Sequence, residues 1–107
     1  MKLSKILRKK DYWTKNCACR DELGNSINLN LVPIDPQKLK EFTKRIKKWS
    51  LYGAISFYYP YPSNRRYQAM DSLKAAIRKV TGKEMTVPEF NDASETTFED
   101  IRKVIKI

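Results

Sequence analysis

A chain of 107 residues has room for one compact domain, residues 1–107, and excludes an enzyme with separate cofactor and substrate lobes. Its 41% hydrophobic content and three glycines exclude a disordered or fibrous chain, and the absence of histidine excludes Ser-His-Asp and Cys-His catalysis and imidazole metal ligation. Twenty-two Lys and Arg against twelve Asp and Glu give a net charge of +10, which favours polyanionic or acidic partners.

Leu3, Ile6 and Leu7 fall at i, i+3 and i+4, so residues 2–10 read as a short helix with an apolar stripe and a basic remainder. Three apolar residues anchor weakly, and packing on the domain is favoured over lying on an anionic membrane. The segment also lacks the continuous apolar stretch and cleavage site of a signal peptide. From residue 12 to 20 the helical period is lost. Trp13, Cys17 and Cys19 share one parity, as a strand with one buried face requires. Ile27, Leu29 and Leu31 alternate in the same way, and the Gly24-Asn25 pair between the two runs suits a hairpin loop. A two-stranded hairpin is therefore expected. Two cysteines are too few for a four-ligand zinc site, and a C-x-C pair on an extended segment bridges poorly with itself. They read as reduced packing thiols in a cytosol.

Asp35-Pro36 is a helix start, with Asp as cap and Pro in the first turn. Leu39, Phe42, Ile46, Trp49 and Gly53 then recur at spacings of three and four, predicting a central helix over residues 36–57. Two prolines in Tyr58-Tyr59-Pro60-Tyr61-Pro62 end it. Ser63 or Asn64 can cap the next helix, whose stripe includes Met70, Leu73, Ile77 and Val80 and which Gly82 terminates. Residues 85–90 read as extended. Thr96-Thr97-Phe98-Glu99-Asp100 offers a threonine cap with an acid three residues later, opening a last helix with Phe98, Ile101, Val104 and Ile105 on one face. The expected fold is α+β, mostly helical, with the hairpin packed on three longer helices and Trp13 and Trp49 in one core. No apolar run approaches the ~20 residues needed to span a bilayer.

Residues 1–48 hold thirteen Lys and Arg against five acids, and residues 49–107 nine against seven. The charge is concentrated in helix one and on the outer face of the central helix, where Lys38, Lys40, Lys44, Arg45, Lys47 and Lys48 stand. The two blocks form one patch only if the fold brings them to the same side; otherwise they are solvated helix faces. Tyr58, Tyr59, Tyr61, Arg65 and Arg66 combine stiff aromatic rings with guanidinium groups, which suits a partner-binding loop or unstacked bases; tyrosines also serve as lids over a core. Arg20-Asp21 and Asn91-Asp92 are compact polar pairs that acid/base chemistry can use, but both occupy turn or cap positions, which favours a structural role. No phosphate-cradling glycine loop is present, and no metal or cofactor is implied.

Trp13, then Ala18-Cys19-Arg20-Asp21 with Gly24, then Trp49-Ser50-Leu51-Tyr52-Gly53-Ala54-Ile55, then Asn91-Asp92 and Thr96-Thr97-Phe98-Glu99-Asp100-Ile101 follow an order that resembles an uncharacterised family of short phage and bacterial proteins. In that family a tryptophan and an Ala-x-Arg-Asp…Gly turn precede a Trp-x-x-x-Gly-Ala helix and a late Asn-Asp…Thr segment. The likeness covers residues 13–107. It implies a phage or mobile-element origin and no particular activity; the strong basic charge and the Tyr-Pro loop depart from it. Two functions follow as expectations: a non-catalytic binder of nucleic-acid backbone, or an inhibitor that blocks an acidic host protein.

Overall fold

A computed structural model describes residues 2–59 and 63–106. In chain order its elements are α1 (Leu3–Ile6), β1 (Cys19–Arg20), α2 (Pro36–Arg45), β2 (Lys48–Trp49), α3 (Leu51–Tyr58), α4 (Asn64–Thr81), α5 (Val87–Asp92) and α6 (Phe98–Ile105), with 3₁₀ turns at Lys10–Tyr12 and Leu29–Leu31. The fold is α+β and mostly helical, with one small antiparallel sheet.

Helices form where cap and stripe agree. The Asp35 side chain accepts from the Gln37 amide at 3.3 Å and starts α2 with Pro36 in its first turn. Ser63 accepts from the Arg66 amide at the head of α4, and Gly82 closes that helix. Thr97 and Asp100 satisfy each other's amides in a capping box that opens α6. The buried stripes then meet: Leu73, Ala76 and Ile77 of α4 and Ile101 and Val104 of α6 belong to one apolar cluster with Leu7, Leu51, Ile55, Val87 and Phe90.

Four expectations are corrected. The hairpin stops after its turn: the Asp21 amide donates to Asn25 O and the Ile27 amide to Cys19 O, but pairing goes no further. Asn28 accepts from the Asn30 amide at 2.9 Å and coils residues 29–31 into a 3₁₀ turn, and Leu31 points to solvent, 72% exposed. The partner of β1 is instead β2, in the register Cys19↔Trp49 and Arg20↔Lys48. Only Ile27 and Leu29 of the alternating residues are partly buried, and no strand forms because the Asn28 side chain turns the chain on itself.

The central helix breaks. At Ile46 the backbone turns extended, residues 48–49 pair as β2, and a new helix begins at Leu51. Two partners from distant sequence compete with helical continuation: Ala18 O takes the Ser50 amide at 2.9 Å and Asn91 takes the Leu51 amide at 3.1 Å. Trp49 is buried as expected, 5% exposed, but from a strand. Lys47 and Lys48 consequently leave the α2 face. Residues 87–90, expected to be extended, instead form α5 together with Asn91 and Asp92 behind a Thr86–Glu89 capping box, with Pro88 tolerated in the first turn. Helix one closes at Ile6 and is followed by the 3₁₀ turn instead of continuing to residue 10.

Candidate functional site

The Trp49 segment is central to what surrounds it. β1 pairs on one side, and on the other Trp13 bridges to Trp49 in parallel, with the Thr14 amide donating to Trp49 O at 3.0 Å. Polar side chains lock this arrangement. Asn91, fully buried, accepts from Trp13 Nε1 at 2.8 Å and from the Leu51 amide, and donates to Thr14 O at 3.0 Å and to Asp92 Oδ1 at 2.9 Å. Asp92 Oδ1 also accepts from the amide of Asn16, whose φ of 67° is otherwise unfavourable for a non-glycine residue. Arg20 donates to Thr14 Oγ1 at 2.7 Å, Gly24 O at 2.9 Å and Lys15 O at 3.1 Å. The Asp21 carboxylate accepts from the Leu23 and Asn25 amides. Gly53 lets α3 lie against the chain at Ala18: a Cβ there would land on the Ala18 carbonyl, 2.6 Å from its carbon.

Trp13, Arg20, Ser50, Gly53, Asn91 and Asp92 thus meet in one knot between residues 13–25, β2, α3 and α5, while Asp21 fixes its own turn. The cleft beside it, lined by Asn16, Cys17, Ser50, Tyr52 and Asp92 among others, holds about 180 Å³, below the ~300 Å³ at which ligand sites begin. Among the described residues no group of three His, Cys, Asp or Glu stands together, and no helix is long and apolar enough to cross a membrane.

On another face of the Trp49 segment lies a larger groove of about 690 Å³, lined by Ser4, Lys5, Ile6, Arg8, Tyr12, Ile46, Lys47, Trp49 and Tyr58. Its parts come from three places in the chain. Lys5 is on α1 and Arg8 just beyond it; Tyr12 ends the 3₁₀ turn next to the Trp13–Trp49 bridge; Lys47 and Trp49 come from the break between α2 and α3, and Tyr58 from the last turn of α3. Arg8 lies against the Tyr12 ring, 5.2 Å from its centre, and donates to its hydroxyl at 3.4 Å. That hydrogen bond, then the guanidinium charge, lowers the Tyr12 pKa. Tyr58 packs on Trp49 at 5.4 Å and edge-on to Phe57 at 5.1 Å, and its burial raises its pKa. The groove therefore offers three cations beside the rings of Tyr12, Tyr58 and Trp49.

The fold brings part of each basic block to this groove: Lys5 and Arg8 from the first, Lys47 from the second. Lys38, Lys40, Lys44 and Arg45 are exposed on α2, which runs into the groove at its C-terminal end through Ile46 and Lys47; Lys48 is half-buried in β2. The tyrosine–arginine set separates. Tyr58 lines the groove, whereas Tyr59 is a core residue at 8% exposure, with the exposed Arg65 stacked over its ring at 5.0 Å. Arg66 is half-buried and donates to Tyr59 O and Ser56 Oγ, both at 3.4 Å. Tyr61 lies outside the described residues. Sequence reasoning did not join Lys5, Arg8 and Tyr12 to Lys47; the available signal was a basic helix followed at once by Tyr12-Trp13, and the missing information was the tertiary bridge to Trp49.

The family model described as "Family of unknown function (DUF6197)" matches residues 3–106, so the chain belongs to that family. Comparison with curated proteins and with solved structures finds no match.

Proposed function

We propose that this chain, as a member of a family to which no activity is assigned, is a non-catalytic basic protein of phage or mobile-element type that binds nucleic-acid backbone in the cytoplasm. The observation that carries the reading is the groove in which Lys5, Arg8 and Lys47 meet. The exposed cations of α2 extend this charge: Lys38 to Arg45 spans about 10 Å along the helix axis. Phosphates neutralised by such side chains release counterions, so binding is strong at low salt and nearly independent of base sequence.

The test is fluorescence anisotropy of labelled oligonucleotides titrated with the protein over a range of salt. Affinity falls linearly with salt on a log–log scale, and replacing Lys5, Arg8 or Lys47 with Ala lowers the slope by roughly one for each phosphate that is no longer neutralised. Absence of binding at low salt overturns the reading.

A second reading, an inhibitor that blocks an acidic host protein such as a defence nuclease, is favoured by a different observation. Leu31 and Ile34 are 72% and 98% exposed on the segment before α2, an apolar display of the kind protein interfaces cover. In this reading Arg65, which is exposed, and Tyr58 and Arg66, which are half-buried, act as anchors for such a partner. A pull-down from host lysate separates the readings: one protein retained after nuclease treatment favours the inhibitor, and loss of all captured material favours nucleic acid.

A further inference from the structure

The groove carries more than charge. A duplex presents phosphates to a protein but keeps the faces of its bases inside the stack; a single strand presents both, and aromatic side chains beside cations are the surface that takes unstacked bases. Here the rings are prearranged. Tyr58 is held by Trp49 and Phe57, and Tyr12 by the Arg8 guanidinium against it. Both tyrosines are only partly buried, and the space between them and the three cations, about 690 Å³, is in the range of sites that hold a small organic ligand. A duplex backbone laid across Lys5, Arg8 and Lys47 would leave these rings unused.

We infer that the groove receives one unpaired nucleotide of a nucleic-acid strand, its phosphate against Lys5, Arg8 and Lys47 and its base against Tyr12 and Tyr58. The inference rests on the nucleic-acid reading and narrows it to single strands. Strand selectivity comes from the rings, whereas the cations serve strand and duplex alike. Trp49 forms part of the same lining, so its fluorescence reports a base entering the groove.

The experiment uses the full chain at low salt with three probes: a twelve-nucleotide oligothymidylate, a duplex of the same length, and thymidine monophosphate. The single strand binds at least about tenfold more tightly than the duplex and quenches tryptophan emission. Tyr12→Leu and Tyr58→Leu each weaken strand binding by about fivefold or more and duplex binding by less than about twofold, the small duplex effect of Tyr12→Leu coming from the loosened Arg8. Thermal melting shows that each variant is folded. Tyr58 supports the Trp49 cluster, so Tyr12→Leu, which removes none of the ring pairs of that cluster, keeps the test decisive where Tyr58→Leu unfolds. Equal affinity for strand and duplex, with both variants indifferent, overturns this inference and leaves the backbone reading standing; failure of both polymers to bind overturns both. Competition by the free monophosphate at the same concentration as the strand would overturn the strand assignment and make a free nucleotide the ligand.

Discussion

Every hydrogen-bonding position of the Asn91 amide is engaged: its oxygen accepts twice and its nitrogen donates twice. Asn91→Ala therefore strands the Trp13 indole N–H, the Leu51 amide and the Thr14 carbonyl at about 1–3 kcal/mol for each group that finds no substitute. Asn91→Asp is no rescue, because it sets a carboxylate against Thr14 O and the Asp92 carboxylate. Both variants should lower the melting temperature by more than about 10 °C. Asp92 is exposed, and Asp92→Ala removes the acceptor of the Asn16 amide and of one Asn91 N–H, so it should cost about 1–3 kcal/mol, less than Asn91→Ala, and leave the affinity of the folded protein for oligonucleotides unchanged. Unchanged melting with abolished binding would instead make the pair a working site. Cys19 gives a pH signature. Its burial, and next the neighbouring Cys17, push its thiol up from 9.0 to about 11. The folded state keeps the proton that the unfolded state loses, so the contribution is whole below pH 9.0 and disappears as pH rises towards about 11, by roughly 2–3 kcal/mol. Urea midpoints at neutral and strongly alkaline pH should differ less in Cys19→Ala than in the parent, and identical pH profiles would contradict this.

At the scale of elements, the α2–α3 break shows what local pattern resolves and what it leaves open. The caps at Asp35, Ser63 and Thr97 were legible because each satisfies amides within three residues of itself. The break at residues 46–50 was not, because the groups that enforce it, Ala18 O and Asn91 Oδ1, lie about thirty and forty residues away. The same limit hid the groove, whose cations were visible as two separate blocks while their meeting depends on the Trp13–Trp49 bridge. Gly53 tests the contest between propensity and packing. Alanine is the better helix former by about 0.8–1 kcal/mol at an interior position and by less at Gly53, which lies in the first turn of α3. Its Cβ, however, meets backbone at Ala18, which cannot rotate away as a side chain does. Overpacking of about 1–3 kcal/mol or more should win, so Gly53→Ala is expected to melt lower than the parent despite its higher intrinsic helicity. A higher melting temperature would show that the segment at Ala18 shifts freely.

For the whole molecule, salt should act in opposite directions on stability and on binding. The net charge is +10, and the excess is concentrated in residues 1–48, so like charges crowd the half of the chain that builds the groove. Attractive pairs do little to offset this. Among the described residues the ion pairs are Arg78–Glu84 at 3.7 Å and Arg102–Glu99 at 3.2 Å, both largely exposed, both outside that half and each worth about 0–1 kcal/mol. Screening therefore removes more repulsion than attraction. Raising salt from ~20 to ~200 mM, which shortens the Debye length from about 20 Å to below 10 Å, should raise the melting temperature by a few degrees. Over the same interval oligonucleotide affinity should fall, because counterions then compete for the phosphates that Lys5, Arg8 and Lys47 neutralise. On a single strand each neutralised phosphate contributes about −0.7 to the log–log slope, so the groove contributes about −0.7 for the phosphate it seats and at most about −2 if each cation takes its own, and the cations of α2 make it steeper. Calorimetry and anisotropy in the same buffers measure both. A melting temperature that falls with salt would mean that the basic residues are held by attractions within the fold, which would leave fewer of them available to a polyanion.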